Sequence, residues 1–298
     1  MRIQTLNRDY EILRMAESGE RMDVLIARDE KHPEEGKCML VILKQETDIH
    51  RFLPFLAAQQ ENDPFDDFMG YFPRDGRLYI VFRFSDLMPL RERLSPDTGF
   101  EERIMIAGNI LKRLVFLHLP AYFQYEVLGE GNILAGENGD IRFSYVFHEP
   151  DRFENVTERE ITERLTGVLK NIFREELEKH SCPPLETFFE RLEKDSFSGM
   201  AAVLKEYEAA AREALILQAA GEIRPKSFGF RLWEKIKKVI SYLKYLLLIL
   251  VMGALIGYLV YTIRHPSNKA AEAMNYKSIG TLTIGETEGQ GAAGQTGE

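Results

Sequence analysis

Residues 22–44 read MDVLIARDEKHPEEGKCMLVILK, and this stretch decides the fold of the N-terminal part of the chain. Two runs rich in apolar and β-branched residues, 22–28 and 38–44, flank a polar segment that contains Pro33 and Gly36. Such runs separated by turn residues are typical of β-strands. The stretch therefore predicts two consecutive strands joined by a turn.

Further strands are predicted on both sides of this pair. Residues 10–15 precede it, and residues 68–72 and 77–84 follow it. The last two flank Arg74-Asp75-Gly76, in which Asp-Gly is a strong hairpin signal. A short helix is expected at 48–60. The N-terminal part thus reads as a small sheet with one helix embedded in it.

The hydrophobic period changes near residue 100. Residues 101–119 carry apolar side chains at helical spacing. A hairpin is predicted from residues 132–134 and 141–146. Further helices are predicted at 157–179, 184–194 and 198–219. The predicted class is α+β, with an antiparallel sheet lobe and a helical lobe in one domain, residues 1–223.

Composition limits the classes of function. The 298 residues are 45% hydrophobic and 29% charged, as in ordinary globular proteins, and the net charge is -9. This negative charge argues against nucleic acid as a partner. Cys38 and Cys182 match no metal-ligand spacing and are expected to be buried thiols. The composition therefore favours a folded globular domain and argues against a mainly disordered, collagenous or multi-span chain.

A membrane anchor is predicted near the C-terminus. Residues 245–263 read YLLLILVMGALIGYLVYTI, 19 residues without a charge, which predicts one transmembrane helix. Residues 224–244 carry seven basic residues and residues 264–298 only three, so the N-terminus is predicted in the cytoplasm and the C-terminus outside. The expected location is thus the cell membrane, with 224–244 as a basic juxtamembrane segment and 264–298 as a disordered outer tail. Within the span, Gly253 and Gly257 predict pairing with a second copy.

The order of elements in residues 8–215 resembles the protein kinase fold. Residues 23–29 and 40–44 look like the second and third strands of a kinase, and Lys44 occupies the position of the ATP-contacting lysine. Residues 114–118 look like the end of the helix before the catalytic loop. Residues 131–143 look like the catalytic asparagine segment and its hairpin. The resemblance implies a two-lobed fold and a nucleotide site between the lobes.

The phosphate-binding loop that this resemblance implies is degraded. The three glycine positions fall on Glu17, Gly19 and Met22, so one glycine remains. Carboxylates at Glu17 and Glu20 would repel phosphate where backbone N–H groups should bind it. Gly19 and Lys44 remain the only candidate nucleotide contacts.

Lys44 has no clear partner in the sequence. In a kinase, this lysine pairs with an acid on the first helix, and Glu61 and Asp63 are the nearby acids. Neither fits that position cleanly. The alternative is an ordinary lysine at the end of a strand.

The catalytic groups that the resemblance implies are also missing. The triplet expected before Asn132 is Tyr125-Glu126-Val127, which places Val127 at the catalytic aspartate, or Glu126 if the register slips by one. Tyr145 stands where a metal-binding aspartate is required. We therefore expect a pseudokinase, without bound ATP, Mg²⁺ or any other cofactor.

These features lead to three hypotheses about function. The first is a single-pass membrane pseudokinase that acts as a scaffold or signal-coupling subunit of a cell-envelope or secretion complex. Its layout is similar to that of the membrane pseudokinase subunit of type VII secretion systems, although the tail has only 35 residues. The second is a divergent membrane Ser/Thr kinase that uses Lys44, Glu126 and Asn132. The third is a membrane-tethered adaptor unrelated to kinases. The partners expected are the membrane, other membrane or cytoplasmic protein subunits and a second copy.

Overall fold

Strands β3 (Met22–Asp29) and β4 (Lys37–Leu43) lie at the centre of a six-stranded sheet in the computed structural model of the chain. They pair antiparallel, with Val24 opposite Val41. The structure describes residues 1–61, 65–194, 196–225 and 249–261. The two strands predicted from residues 22–44 are confirmed.

The sheet continues on both sides of this pair. The other strands are β1 (Arg2–Gln4), β2 (Asp9–Ser18), β5 (Phe68–Arg74) and β6 (Arg77–Arg83), and the order is β1-β2-β3-β4-β6-β5. All neighbours are antiparallel. Helix α1 (Glu46–Glu61) lies between β4 and β5 in the chain.

The two faces of the sheet belong to different cores, because side chains alternate along a strand. Met39, Val41 and Leu43 of β4 join a large core that also contains residues of α1 and of the later helices. Leu40 and Ile42 face the other way and join a small core built only from the sheet. We call the face that carries Met39, Val41 and Leu43 the inner face. A ligand between the sheet and the helices would touch this face.

The remaining elements form a helical lobe with short strands inserted. Its helices are α2 (Leu90–Arg93), α3 (Phe100–Phe116), α4 (Ala121–Val127), α5 (Glu158–Ile172), α6 (Arg174–Lys179), α7 (Pro183–Glu193) and α8 (Met200–Ala219). The strands are β7 (Met88–Pro89), β8 (Ile133–Ala135), β9 (Ile141–Phe143), β10 (His180–Ser181) and β11 (Arg224–Pro225).

The predicted α+β class with a sheet lobe and a helical lobe fits this architecture, but local details differ. The helix expected at 157–179 is two helices, because the backbone leaves helical geometry at Phe173. Its start follows the sequence, since Thr157 and Glu160 form a capping box. Helix α4 was not predicted, and it occupies the segment in which a catalytic loop was expected.

The prediction of a transmembrane helix is wrong. Over the part of the chain that the structure describes, no helix has both the length and the apolarity needed to cross a bilayer. The described part of the predicted span is a helix at 249–261, and its 13 residues extend about 20 Å, less than the roughly 30 Å of a bilayer core. The transmembrane helix in the predicted fold class is therefore not supported. The predicted single-pass localisation, with the N-terminus cytoplasmic and the C-terminus outside, is not supported either.

Several predictions fall on residues beyond this description. Most of the basic segment 224–244, the tail 264–298, and residues 245–248 and 262–263 of the predicted span lie outside the described residues. The chain divides into two units, Met1–Arg231 and Leu232–Glu298. The candidate residues Gly19, Lys44, Glu126 and Asn132 all belong to the first of them.

Candidate functional site

Aromatic side chains fill the space between the sheet and the helical lobe. Phe52 of α1 is fully buried, and its ring lies 5.5 Å from that of Phe147 and 4.1 Å from that of Phe153. Phe82 of β6 stacks on Tyr145 at 4.4 Å between ring centroids. These rings belong to one continuous core that also contains the inner face of β4. A nucleotide between the lobes would have to displace this packing.

Lys44 lies on the opposite side of the sheet from this core. It follows Leu43 of the inner face, so alternation turns its side chain toward the outer face. There its Nζ lies 2.7 Å from Oδ1 of Asp23 and donates a hydrogen bond of 2.7 Å to the carbonyl oxygen of Gly19. Val41 and Leu43 occupy the inner positions where a phosphate-binding cation would be needed. These contacts favour the structural interpretation of Lys44.

We expect Lys44→Met to lower the free energy of unfolding at pH 7 by about 1 kcal/mol, because it leaves Asp23 without its ammonium partner. Burial raises the pKa of Asp23, but hydrogen bonds from Lys44 and Ser18 outweigh it and hold that pKa below its ordinary value. This stabilisation is therefore present above about pH 4 and is lost as the pH falls through the lowered pKa. Urea unfolding of both proteins between pH 7 and pH 2.5 measures the difference. A difference that stays constant to pH 2.5 would show that Asp23 is not the partner.

In the turn between β2 and β3, the backbone groups of Gly19 are hydrogen-bonded within the protein. The N–H of Gly19 donates to the carbonyl oxygen of Met22 at 2.8 Å, and the carbonyl of Gly19 accepts from Lys44. Neither group points to an open phosphate site. The assignment of Gly19 as a nucleotide contact stays a prediction, and these contacts favour a tight hairpin turn instead.

Glu126 is a fully buried residue near the end of α4. Its Oε2 accepts a hydrogen bond of 3.1 Å from the N–H of His148, and its Oε1 accepts one of 3.0 Å from the N–H of Glu149. The carboxylate thus fixes the chain that follows Phe147. A general base must reach a substrate proton, whereas both oxygens of Glu126 are bound to backbone groups away from solvent.

Asn132 fixes the same segment from the other side. Its Nδ2 donates to the carbonyl oxygens of Glu126 and Val146, each at 2.8 Å, and its Oδ1 accepts from the N–H of Val146 at 3.3 Å. The side chain is almost completely buried. Asn132 and Glu126 therefore lie close together, and their side chains hold residues 146–149 in place.

Tyr145 ends in a buried network in place of a metal site. Its hydroxyl donates to Oδ2 of Asp67 at 2.8 Å, and Nη2 of Arg113 lies within 2.9 Å of both Asp67 oxygens. Burial and the Asp67 carboxylate raise the pKa of the Tyr145 phenol well above its usual range, so it stays protonated as a donor. The carboxylate that accepts from Tyr145 is thus already paired with Arg113.

Sequence reasoning missed the ion pair that joins α1 to the sheet. Arg21, in the turn before β3, contacts the buried Asp48 of α1 through Nη2 at 2.6 Å and Nε at 3.1 Å. The same guanidinium reaches Asp151, which follows β9, at 2.6 Å. Asp48 of α1 therefore pairs with Arg21, whereas Lys44 pairs with Asp23 of β3 and with neither predicted acid among the described residues; Asp63 lies outside them. The sequence signal was an arginine in a turn opposite an acid in the first turn of a helix.

The residues present do not fit MgATP. Between the lobes, the groups that would meet phosphate or metal are apolar rings, a tyrosine donor and a carboxylate paired with Arg113. A cavity of about 980 Å³ does open in the first unit. The residues that line it all fall between positions 90 and 179, and they include Arg91, Asn171 and Arg174. It therefore belongs to the helical lobe and not to the space beneath the sheet.

Gly253 and Gly257 lie in the helix at 249–261. Both are exposed, and a Cβ added to either would meet no atom within 4 Å among the described residues. Their role in association stays a prediction, and the lipid argument for it does not hold without a spanning helix.

Comparison with known proteins adds no relative. No family model matches the chain, and no curated protein matches it.

Proposed function

We propose that the first unit of the chain is a degenerate protein kinase-like domain that has lost phosphotransfer and works by binding other proteins. The element order supports the kinase-like part of the proposal: β2, β3 and β4, then α1, then β5 and β6, followed by helices with one hairpin, β8–β9. This is the order that the kinase resemblance implies.

The filled space between the lobes carries the second part of the proposal. Phe52, Phe82 and Tyr145 occupy it, and Leu43 stands on the inner face next to the outward Lys44. Phosphoryl transfer needs a phosphate cradle, a cation and metal ligands in this space. Each candidate group instead holds another part of the fold.

The rival enzyme hypothesis would require large rearrangement. Lys44 would have to move from the outer to the inner face of the sheet, and Glu126 would have to release two backbone N–H groups. Releasing buried hydrogen-bonding groups costs about 1–3 kcal/mol for each group. The contacts therefore favour a scaffold or signal-coupling role, without assigning the domain to any particular complex.

A phosphotransfer assay tests this function. The full chain is incubated with γ-labelled ATP and Mg²⁺, alone and with a generic Ser/Thr peptide. We expect no label above background in the wild type, in Lys44→Met or in Glu126→Gln. Incorporation that needs Mg²⁺ and is lost in both variants would establish the kinase hypothesis and refute ours.

A further inference from the structure

Strand β2 leaves one edge of the sheet largely open. Over its whole length β2 pairs with β3, from Tyr10 opposite Asp29 to Ser18 opposite Asp23. On its other side β1 pairs with residues 9–11, and the N–H of Ile12 donates to the carbonyl oxygen of Met1. Within the described residues, no strand covers residues 13–18, here called the β2 edge. Backbone N–H and C=O groups along such an edge can pair with another strand.

Apolar side chains on the β2 edge are unusually accessible. All six of its residues are exposed, including Leu13 at 42% and Met15 at 57%. Exposed apolar residues on an open edge are the features that favour strand addition. The edge therefore has both backbone groups and side chains for a partner strand.

Two charges on the β2 edge share one face of the sheet. Arg14 lies opposite Ile26 and Glu17 opposite Val24, and Ile26 and Val24 point to the same side of β3. Residues three apart on a regular strand face opposite sides. A bulge between Met15 and Glu17 inserts one extra residue, and it therefore brings Arg14 and Glu17 to the same face. Among the described residues, the side chains of Arg14 and Glu17 have no hydrogen-bond or ion-pair partner. Two unpaired opposite charges thus stand on one face of an open edge.

We propose that the β2 edge pairs antiparallel with the β2 edge of a second copy of this chain. The charges select the register, because Arg14 of each copy then faces Glu17 of the other, and two-fold symmetry forms this pair twice. Centring the pairing on Arg14 would instead oppose like charges. A ladder of six residues on each side is far smaller than a standard interface, so the dimer is weak and reversible. The inference is independent of whether the domain binds ATP.

A charge-reversal cycle on the full chain tests the pairing. Sedimentation equilibrium at 0.15 M salt, which screens the overall negative charge, measures the dimer dissociation constant. We expect Arg14→Glu and Glu17→Arg each to weaken dimerisation at least tenfold, and the double variant to restore it. Ala16→Pro, which disrupts the ladder without changing charge, should also weaken it.

Controls separate this interface from general charge effects. Lys205→Glu changes the net charge as much as Arg14→Glu does, on an exposed residue of α8, and should leave the dissociation constant unchanged. Circular dichroism verifies that each variant folds. Three results would each overturn the proposal. The wild type could remain monomeric at several hundred micromolar, the single reversals could fail to weaken the dimer, or the double variant could fail to restore it.

Discussion

Replacing Phe52 by alanine should lower the free energy of unfolding of the first unit by about 3–5 kcal/mol. The ring is fully buried and contacts Tyr122, Phe147 and Phe153, which come from three different segments of the helical lobe. Because these neighbours come from separate segments that are packed in the same core, we expect them to collapse only partly into the cavity. The loss therefore includes both the transfer of the ring and the cavity it leaves.

Urea unfolding followed by tyrosine fluorescence or circular dichroism measures this change. Phe116 gives a matched control, since it is 70% exposed at the end of α3 and Phe116→Ala should change stability by less than about 0.5 kcal/mol. A loss below 1 kcal/mol in Phe52→Ala would mean that the space between the lobes is not closed in solution. In that case a ligand could enter it.

Glu126→Gln should destabilise the first unit by about 2–4 kcal/mol, because both carboxylate oxygens accept backbone N–H groups. The amide of glutamine offers one acceptor and one NH₂ donor, so one of the N–H groups of residues 148 and 149 would face another donor. Unsatisfied buried groups and lost charge-assisted bonds each cost about 1–3 kcal/mol.

The Glu126→Gln variant also distinguishes a structural role of Glu126 from a catalytic one. Glu130→Gln, on a residue whose side chain is 82% exposed, serves as the control and should be nearly neutral. Limited proteolysis should show faster cleavage near residues 146–152 in Glu126→Gln, because Glu126 fixes that segment. A folded variant with unchanged stability and cleavage would point to a carboxylate kept for chemistry instead of structure.

The sheet could be predicted from the sequence, whereas the orientation of its key side chain could not. The apolar run in residues 38–44 predicts the strand, but it does not show which face meets the helices, because both faces of β4 are buried. Only the packing of α1 shows that Leu43 points inward and Lys44 outward. A shift of one residue in a strand reverses every side chain, so the kinase resemblance alone does not determine the face on which the Lys44 side chain lies.

The roles of Asp48, Asp67 and Arg113 depend on long-range contacts. Arg113 lies 46 positions from Asp67, and Arg21 lies 27 from Asp48, so no local pattern pairs them. The predicted span failed for a different reason. The hydropathy of residues 245–263 predicts a helix over the whole apolar run, but the described helix covers only residues 249–261.

Titration of the full chain with MgATP in a calorimeter tests most directly whether the space between the lobes is closed. The account predicts no saturable heat up to about 1 mM nucleotide, because Phe52, Phe82 and Tyr145 occupy the site and Lys44 lies on the outer face of the sheet. ATP without Mg²⁺ serves as the reference for weak charge effects. Saturable binding that requires Mg²⁺ and weakens in Lys44→Met would contradict the account.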